Sequence, residues 1–305
     1  MLVTPDDVRL AARRLQGVIR PTPTALSSQL SERAGRPVYI KPEHLQRTGS
    51  FKIRGAYNAI VEGPPTEVVA ASAGNHAQGV ALAASLCGVR STVFMPVGAS
   101  FPKVEATRNY GADVRFAGTS VDDAIEVAFA YAKAQGARYI PPFDDARVIA
   151  GQGTVGLELQ SEAPGAEAIV VPVGGGGLLA GVAVAADRAV FGAQAEGAPS
   201  MAVALDKGAP FELDHVETMA DGIAIRRVSE LTFEHAKSLC QGVITVGEEE
   251  ISQAVLFLLE RCKWVVEPAG AAGLAALLAG KIPGNGPVAV VLSGGNVDPL
   301  LLTRL

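Results

Sequence analysis

The sequence predicts an α/β protein with two open lobes, each built on a parallel sheet. From residue 37 onward, short apolar strands alternate with helices, the pattern of parallel α/β architecture. The chain has 305 residues, 49% of them hydrophobic, enough to bury more than one packed core. Its 34 glycines follow no repeat period, which points to tight turns and ligand loops rather than a fibrous fold.

Taken in order, the first helix is expected over residues 8–18, with Thr4 as cap, Pro5 at the first position and Asp6 and Asp7 in the first turn. A turn follows at residues 20–24, then a strand over 37–41. Apolar positions predict a helix over 53–61, a strand over 68–71, a small-residue helix over 77–86 and a strand over 91–95 ended by Pro96. A helix over 102–109, a strand over 113–116 and an amphipathic helix over 122–135 come next. In the second half, residues 156–161 read as helix, 169–173 as a buried strand and 178–190 as an Ala/Val-rich helix. Residues 248–262 and 269–278 read as helices and 288–292 as the last strand. The expected division is a large lobe from residues 1–54 and 141–305 and a small lobe from 55–140.

Composition excludes several classes. A net charge of −5 and the lack of a Lys/Arg run argue against nucleic-acid binding. Cys87, Cys240 and Cys262 are odd in number and form no metal spacing, so free thiols in a reducing compartment are expected. The N-terminus reads as a helix start rather than a signal peptide, and apolar runs such as 288–292 are far too short for a membrane span. A cytoplasmic protein with no membrane partner, internal repeat or regulatory appendage is the expectation.

The stretch Gly49-Ser50-Phe51-Lys52-Ile53-Arg54-Gly55-Ala56 places a lysine after a Gly-Ser turn, at the start of a helix. There the positive end of the peptide dipoles favours the neutral amine, a nucleophile able to form a Schiff base with an aldehyde. Taken alone, such a lysine is a solvated helix residue; other loops change the balance. Gly174, Gly175, Gly176, Gly177 and Leu178 join a strand to a helix, so backbone amides can converge on an anion such as a phosphate. A plain turn needs one or two glycines rather than four. The Gly-Lys-Ser/Thr ending of a nucleotide P-loop is missing.

A dinucleotide reading competes. Gly175, Gly177 and Ala180 fit G-x-G-x-x-A, and Glu196 follows Gly177 by 19 residues, but residues 191–195 make a poor strand. Gly151, Gly153 and Gly156 also match G-x-G-x-x-G, without a convincing strand before them. Ser72, Ala73, Gly74, Asn75 and His76 lie between a strand and a helix and offer donors for a carboxylate or ring hydroxyl. For Ser72 the plain reading is an N-cap, and for His76 a packed surface residue. Ser293-Gly294-Gly295-Asn296 ends the last strand, where a serine hydroxyl could bond an aromatic nitrogen. Glu267 reads as a first-turn acid. His44, His215 and His235 have no metal-ligand partners at sensible spacing.

Together, residues 48–56 (TGSFKIRGA), 72–79 (SAGNHAQG), the Gly174 to Leu178 loop and the Ser293 to Asn296 loop resemble the threonine/serine dehydratases among the fold-type II pyridoxal-phosphate enzymes. Ala220-Asp221-Gly222 and Val266-Glu267-Pro268 are further matches, and the resemblance spans the chain. It implies a tryptophan synthase β-like fold with pyridoxal 5'-phosphate as cofactor. Lys52 would carry that cofactor as the catalytic residue, with Phe51 beside it. Asn75 would meet the ring hydroxyl, Ser293 the pyridine nitrogen, and the amides of Gly174, Gly175, Gly176, Gly177 and Leu178 the phosphate. The Ser72 to His76 loop would clamp the carboxylate of an amino-acid substrate, and a homo-oligomer, dimer or tetramer, is implied.

The implied reaction is β-elimination from L-threonine, and from L-serine, to a 2-oxo acid and ammonia. A neutral serine at the pyridine nitrogen is expected to favour elimination over transamination, so Ser293→Asp should raise transamination. Serine racemases of the same resemblance carry a second serine at the Ala73 position, so racemisation is expected to be weak. They also hold a divalent cation through an acid near Glu196 and another six residues on; here that second position is Ala202, and no metal is called for. The cysteine synthases, with a Thr-Ser-Gly-Asn loop, fit less well. Biosynthetic threonine dehydratases append an isoleucine-binding domain, and isoleucine inhibition is not expected here. A 3-hydroxyaspartate dehydratase on the same scaffold and, from a different class, an NAD-dependent oxidoreductase are the alternatives.

Overall fold

A computed structural model describes residues 2–301. Six strands, β1 (Ala25–Leu26), β2 (Val38–Lys41), β7 (Ala168–Pro172), β8 (Ala189–Ala195), β9 (Gly242–Val246) and β10 (Val288–Val291), form one sheet in the order β1-β2-β10-β7-β8-β9. Only β1 runs antiparallel to its neighbour in that sheet. Four more, β3 (Glu67–Ala71), β4 (Arg90–Met95), β5 (Asp113–Phe116) and β6 (Arg138–Tyr139), form an all-parallel sheet in the order β5-β4-β3-β6. The helices are α1 (Pro5–Leu15), α2 (Ser28–Ala34), α3 (Lys52–Val61), α4 (Asn75–Leu86), α5 (Phe101–Asn109) and α6 (Val121–Gln135). They continue as α7 (Ala146–Glu162), α8 (Gly177–Ala185), α9 (Ser200–Lys207), α10 (Glu230–Leu239), α11 (Glu248–Phe257) and α12 (Pro268–Leu278).

Both faces of each sheet are covered, as parallel strands require. Alternation along the strands sorts the core in two. Ile169 and Val171 of β7 join Ala289 and Val291 of β10 against Leu179 and Val182 of α8. Val170, Val288 and Val290 face the other way, onto Leu274 of α12 and Ile251 and Val255 of α11. The smaller sheet repeats this: Val68 and Ala70 pack with Ile53 and Ile60 of α3 and Val80 of α4, while Val69 and Ala71 pack against Ala124 and Ala128 of α6. The expected boundary at residue 54 falls inside α3, which packs against both α4 and α7.

The structure corrects the sequence reading in two places. Helix α7 runs 17 residues, not the expected six, and the whole G-x-G-x-x-G match lies inside it. Asp145 caps it, accepting from Arg147 N at 2.7 Å. Its glycines are contact points: a Cβ on Gly151 would stand 2.6 Å from Gly55 Cα, and one on Gly156 would stand 2.9 Å from Ala185 Cβ. Glycine has a low helix propensity, and close packing of α7 against α3 and α8 outweighs it here. Secondly, α8 ends at Ala185 rather than at residue 190, and residues 191–195, expected to make a poor strand, belong to β8 between β7 and β9. Gly192 serves there because a Cβ would come within 2.8 Å of both Val173 and Val243 side chains. The strands β1, β6 and β9 and the helices α2, α9 and α10 had no counterpart in the sequence reading.

Candidate active site

A cavity of about 960 Å³ opens at the carboxyl ends of both sheets. Ser72 follows β3, Gly174 follows β7 and Ser293 follows β10, so three strands deliver three of the quoted loops to one place. Phe51, Lys52, the residues from Ser72 to His76, the residues from Gly174 to Leu178, and Ser293 all line it.

Lys52 is the first residue of α3. Its Nζ donates to the carbonyl of Pro142 at 3.0 Å and lies 5.1 Å from the centre of the Phe51 ring. Burial pulls the amine down from 10.5 to about 8, against the opposing pull of Glu267. The position depends on Gly79 of α4, where a Cβ would stand 3.0 Å from the Lys52 carbonyl carbon.

The amide of Val173 pairs with Ala193 O, and the next paired backbone amide in the loop and first turn is Ala180 N, on Gly176 O. Among the described residues, the amides of Gly174 to Leu178 have no acceptor, and they open at the N-terminus of α8. Packing also demands the glycines. Gly176 has φ +91, and a Cβ on Gly177 would stand 2.9 Å from Phe143 Cβ. The loop therefore packs closely against Phe143 at the cavity wall.

Helix α4 likewise begins without a side-chain cap, and the amides of Asn75, His76 and Ala77 are unpaired among the described residues. Ser72 Oγ accepts from Gly74 N at 3.2 Å, which shapes the loop rather than capping the helix. His76, expected near the surface, is buried, with Nε2 2.8 Å from Ile140 O. A carbonyl can only accept, so Nε2 carries the hydrogen. Burial, helped by the nearby Lys52 charge, pushes this ring down to about 3 and keeps it neutral. Ser293 is buried at the cavity wall, and its carbonyl accepts from Phe51 N at 3.2 Å.

The sequence reading gave Glu267 no chemistry, yet it is 4% exposed, at the cavity, with Oε1 accepting from Asn75 Nδ2 at 2.5 Å. Burial, then the charge of Asp221, pushes its carboxyl up to about 7. Lys103 of α5 pairs with Asp221 Oδ2 at 2.7 Å across the mouth, another pair the sequence did not single out. A Glu before a Pro at a helix start looks the same whether or not a cavity lies beside it. Glu196, which the dinucleotide reading required, is not part of the cavity wall and faces Lys281 at 3.7 Å.

Four helix N-termini thus end at this cavity: those of α3, α4, α8 and α12. Their dipoles favour anions, and the Lys52 amine, its basicity lowered by burial, stands among them. An aldehyde joined to a phosphate and presented with an amino-acid carboxylate fits this donor set, and pyridoxal phosphate has that chemistry. The pyridoxal-phosphate dependent enzyme family model matches residues 15–294. The chain belongs to this family.

Among relatives of this pyridoxal-phosphate enzyme, the L-threonine ammonia-lyase of Thermotoga maritima is 47% identical, over 100% of this chain and 78% of that protein. The catabolic L-threonine dehydratase TdcB of Escherichia coli strain K12 is 41% identical, over 96% of this chain and 93% of that protein. Of solved structures, the threonine deaminase of T.th. superposes with a TM-score of 0.92 at 40% identity, covering 97% and 99% of the two chains. Maize serine racemase superposes with a TM-score of 0.94 at 34% identity, covering 100% and 97%.

Proposed function

We propose that this protein deaminates L-threonine to 2-oxobutyrate and ammonia, and L-serine to pyruvate and ammonia. The observation that carries the reading is the buried Lys52 amine, its basicity lowered to about 8, in one cavity with two rows of unpaired amides, at Gly174 to Leu178 and at Asn75 to Ala77. Relatives named for threonine deamination at 41–47% identity support the same substrate.

The first row would hold the cofactor phosphate, Lys52 its aldehyde carbon, Asn75 its ring hydroxyl and Ser293 its ring nitrogen, with Phe51 alongside. Pyridoxal phosphate, once bound, supplies the electron sink that makes a substrate's α-proton removable. The second row of amides would hold the substrate carboxylate and fix the α-carbon towards Lys52. As a free amine, Lys52 would take the α-proton at Nζ, and its lowered basicity suits it to give that proton up again near neutral pH. The β-hydroxyl is the acceptor, and it leaves as water. The remaining unsaturated amine takes up water and falls apart into 2-oxo acid and ammonia. His76, held neutral with its Nε2 hydrogen on Ile140, keeps a second positive charge away from Lys52. Ala73 lines the cavity with a methyl where the racemases carry a hydroxyl, which disfavours protonation from that side.

Release of 2-oxo acid from L-threonine, L-serine and 3-hydroxyaspartate at matched concentrations tests the reading. Fastest release from threonine is expected, and D-serine forming faster than pyruvate would overturn it in favour of racemisation. We place the enzyme in the cytoplasm as a homo-oligomer. Among the described residues, no helix is long and apolar enough to cross a membrane. Light scattering of the purified protein tests the assembly.

A further inference from the structure

Gly49 and Gly294 sit in different loops, and each makes room for a carboxamide. A Cβ on Gly49, whose φ is +70, would stand 2.9 Å from Asn296 Cγ, and one on Gly294 would stand 3.0 Å from Asn75 Nδ2. The two loops are stitched together by Gly295 N on Gly49 O at 2.8 Å and Phe51 N on Ser293 O at 3.2 Å. A side-chain relay runs between them. Asn296 Nδ2 donates to the Thr48 carbonyl at 2.7 Å and to Asn75 Oδ1 at 2.7 Å. Asn75 Nδ2 then donates to Glu267 Oε1 at 2.5 Å.

The polarity of this relay is fixed from one end. The Thr48 carbonyl can only accept, so the Asn296 atom facing it is the nitrogen. The same nitrogen faces Asn75, which must therefore present its oxygen, and the Asn75 nitrogen is left facing the Glu267 carboxylate. Turning Asn75 over would set two donors against each other at Asn296 and two acceptors at Glu267. In the observed orientation one Nδ2 hydrogen has no acceptor among the described residues, on a side chain that lines the cavity.

We propose that Asn296 is a positioning residue: it orients the Asn75 carboxamide so that the free Nδ2 hydrogen is presented to an acceptor oxygen on the cofactor ring. Glu267 is the second anchor. This rests on the pyridoxal-phosphate reading above. Without Asn296, Asn75 keeps its place at the start of α4 with Glu267 as its single remaining anchor, and its Nδ2 hydrogen is held less firmly towards the ring oxygen.

The test is titration of cofactor-stripped protein with pyridoxal phosphate, following the dissociation constant and the visible absorbance of the bound cofactor. It compares Asn296→Ala, Asn296→Asp, Asn75→Ala and the Asn75→Ala/Asn296→Ala double variant. Each single variant should bind about tenfold more weakly and shift the absorbance maximum, Asn296→Asp most, because its carboxylate cannot donate. The double variant should bind no worse than Asn75→Ala alone, since the two act as one unit. Wild-type affinity and absorbance in Asn296→Ala, or additive losses in the double variant, would overturn the proposal. If Asn296→Asp does not fold, Asn296→Ala and the double variant decide the matter. A wild-type protein that takes up no pyridoxal phosphate overturns the cofactor reading itself. Tight uptake without 2-oxo acid release overturns only the substrate.

Discussion

The Nζ of Lys52 donates to the carbonyl of Pro142 at 3.0 Å, although the two residues lie 90 positions apart. The amine is held by a loop that follows the small sheet while its backbone belongs to α3, so closing the cavity wall and placing the nucleophile are one event. Replacing Lys52 with alanine should lower deamination by at least about a thousandfold, within the usual range for losing a positioned proton-transfer group together with a nucleophile. Borohydride treatment should then fix no cofactor to the protein.

The same lysine should cost stability. Its folded-state pKa, about 8, lies below the ordinary 10.5, so between those values the unfolded chain binds more protons than the folded one. Stability from this group therefore rises with pH across that window, and the penalty is full below pH 8. Cofactor-free Lys52→Met should melt higher than cofactor-free wild type at pH 7, and the difference should shrink towards pH 10. Parallel melting temperatures at both pH values would show that the amine titrates like an exposed one.

Two residues after Lys52, Arg54 is fully buried, and Glu43 accepts from its Nε and Nη2 at 2.8 Å each. Glu158 accepts from Nη1 at 2.6 Å and Nη2 at 2.8 Å, and also faces Lys41 Nζ at 2.6 Å. Burial alone would lower the guanidinium, but Glu43 and Glu158 outweigh it and hold Arg54 well above its ordinary value. Arg54→Met strands the buried Glu43 charge and should cost about 3–5 kcal/mol by urea unfolding. Adding Glu43→Gln to that variant should recover part of the loss. Arg54→Lys cannot reproduce two forked pairs and should fall between wild type and Arg54→Met.

What the sequence disclosed follows from how locally each feature is encoded. Lys52 after its turn, the four glycines and the Ser72 to His76 loop are contiguous stretches whose residue types announce an amine or unpaired amides, and the structure brings them to one cavity. Glu267 and Asn296 are different. Their contacts with Asn75 span 192 and 221 residues, and nothing near either in the chain signals a partner. The same holds for α7 and β8. Gly153 suits a helix because Gly181 O would lie 2.7 Å from its Cβ, and Gly192 suits a strand because β7 and β9 flank it. Local propensity reads both the other way, since it cannot see the neighbour that makes a missing side chain an advantage.

Glu267 gives the opposite pH signature to Lys52. Its folded-state pKa, pushed up to about 7 by burial, lies above the ordinary 4.5, so the folded protein binds more protons between those values. Stability from this group falls as pH rises from 4.5 to 7 and then levels off. Glu267→Gln keeps an oxygen for Asn75 without the charge. It should match wild type near pH 4.5 and unfold at higher urea above pH 7. A constant offset across that range would show that Glu267 is ionised throughout.

His76 should set part of the acid limit. The ring is 3% exposed, its Nε2 hydrogen is committed to Ile140 O, and the Lys52 charge lies close by, so a second proton is held off until about pH 3. An unfolded histidine takes that proton near 6.5, so below this value the unfolded chain binds more protons and stability falls as pH drops from 6.5 towards 3. His76→Gln can still donate to Ile140 but does not titrate. Urea unfolding of both proteins at pH 7, 6, 5 and 4 isolates the histidine, because every other acid-sensitive group is shared. The stability of His76→Gln relative to wild type should improve steadily below pH 6.5. In a Lys52→Met background the improvement should be smaller, since removing the neighbouring positive charge lets the folded ring accept a proton sooner. Curves that stay parallel down to pH 4 would mean that the folded protein protonates His76 as readily as the unfolded chain does, and that its hydrogen bond to Ile140 carries no charge selection.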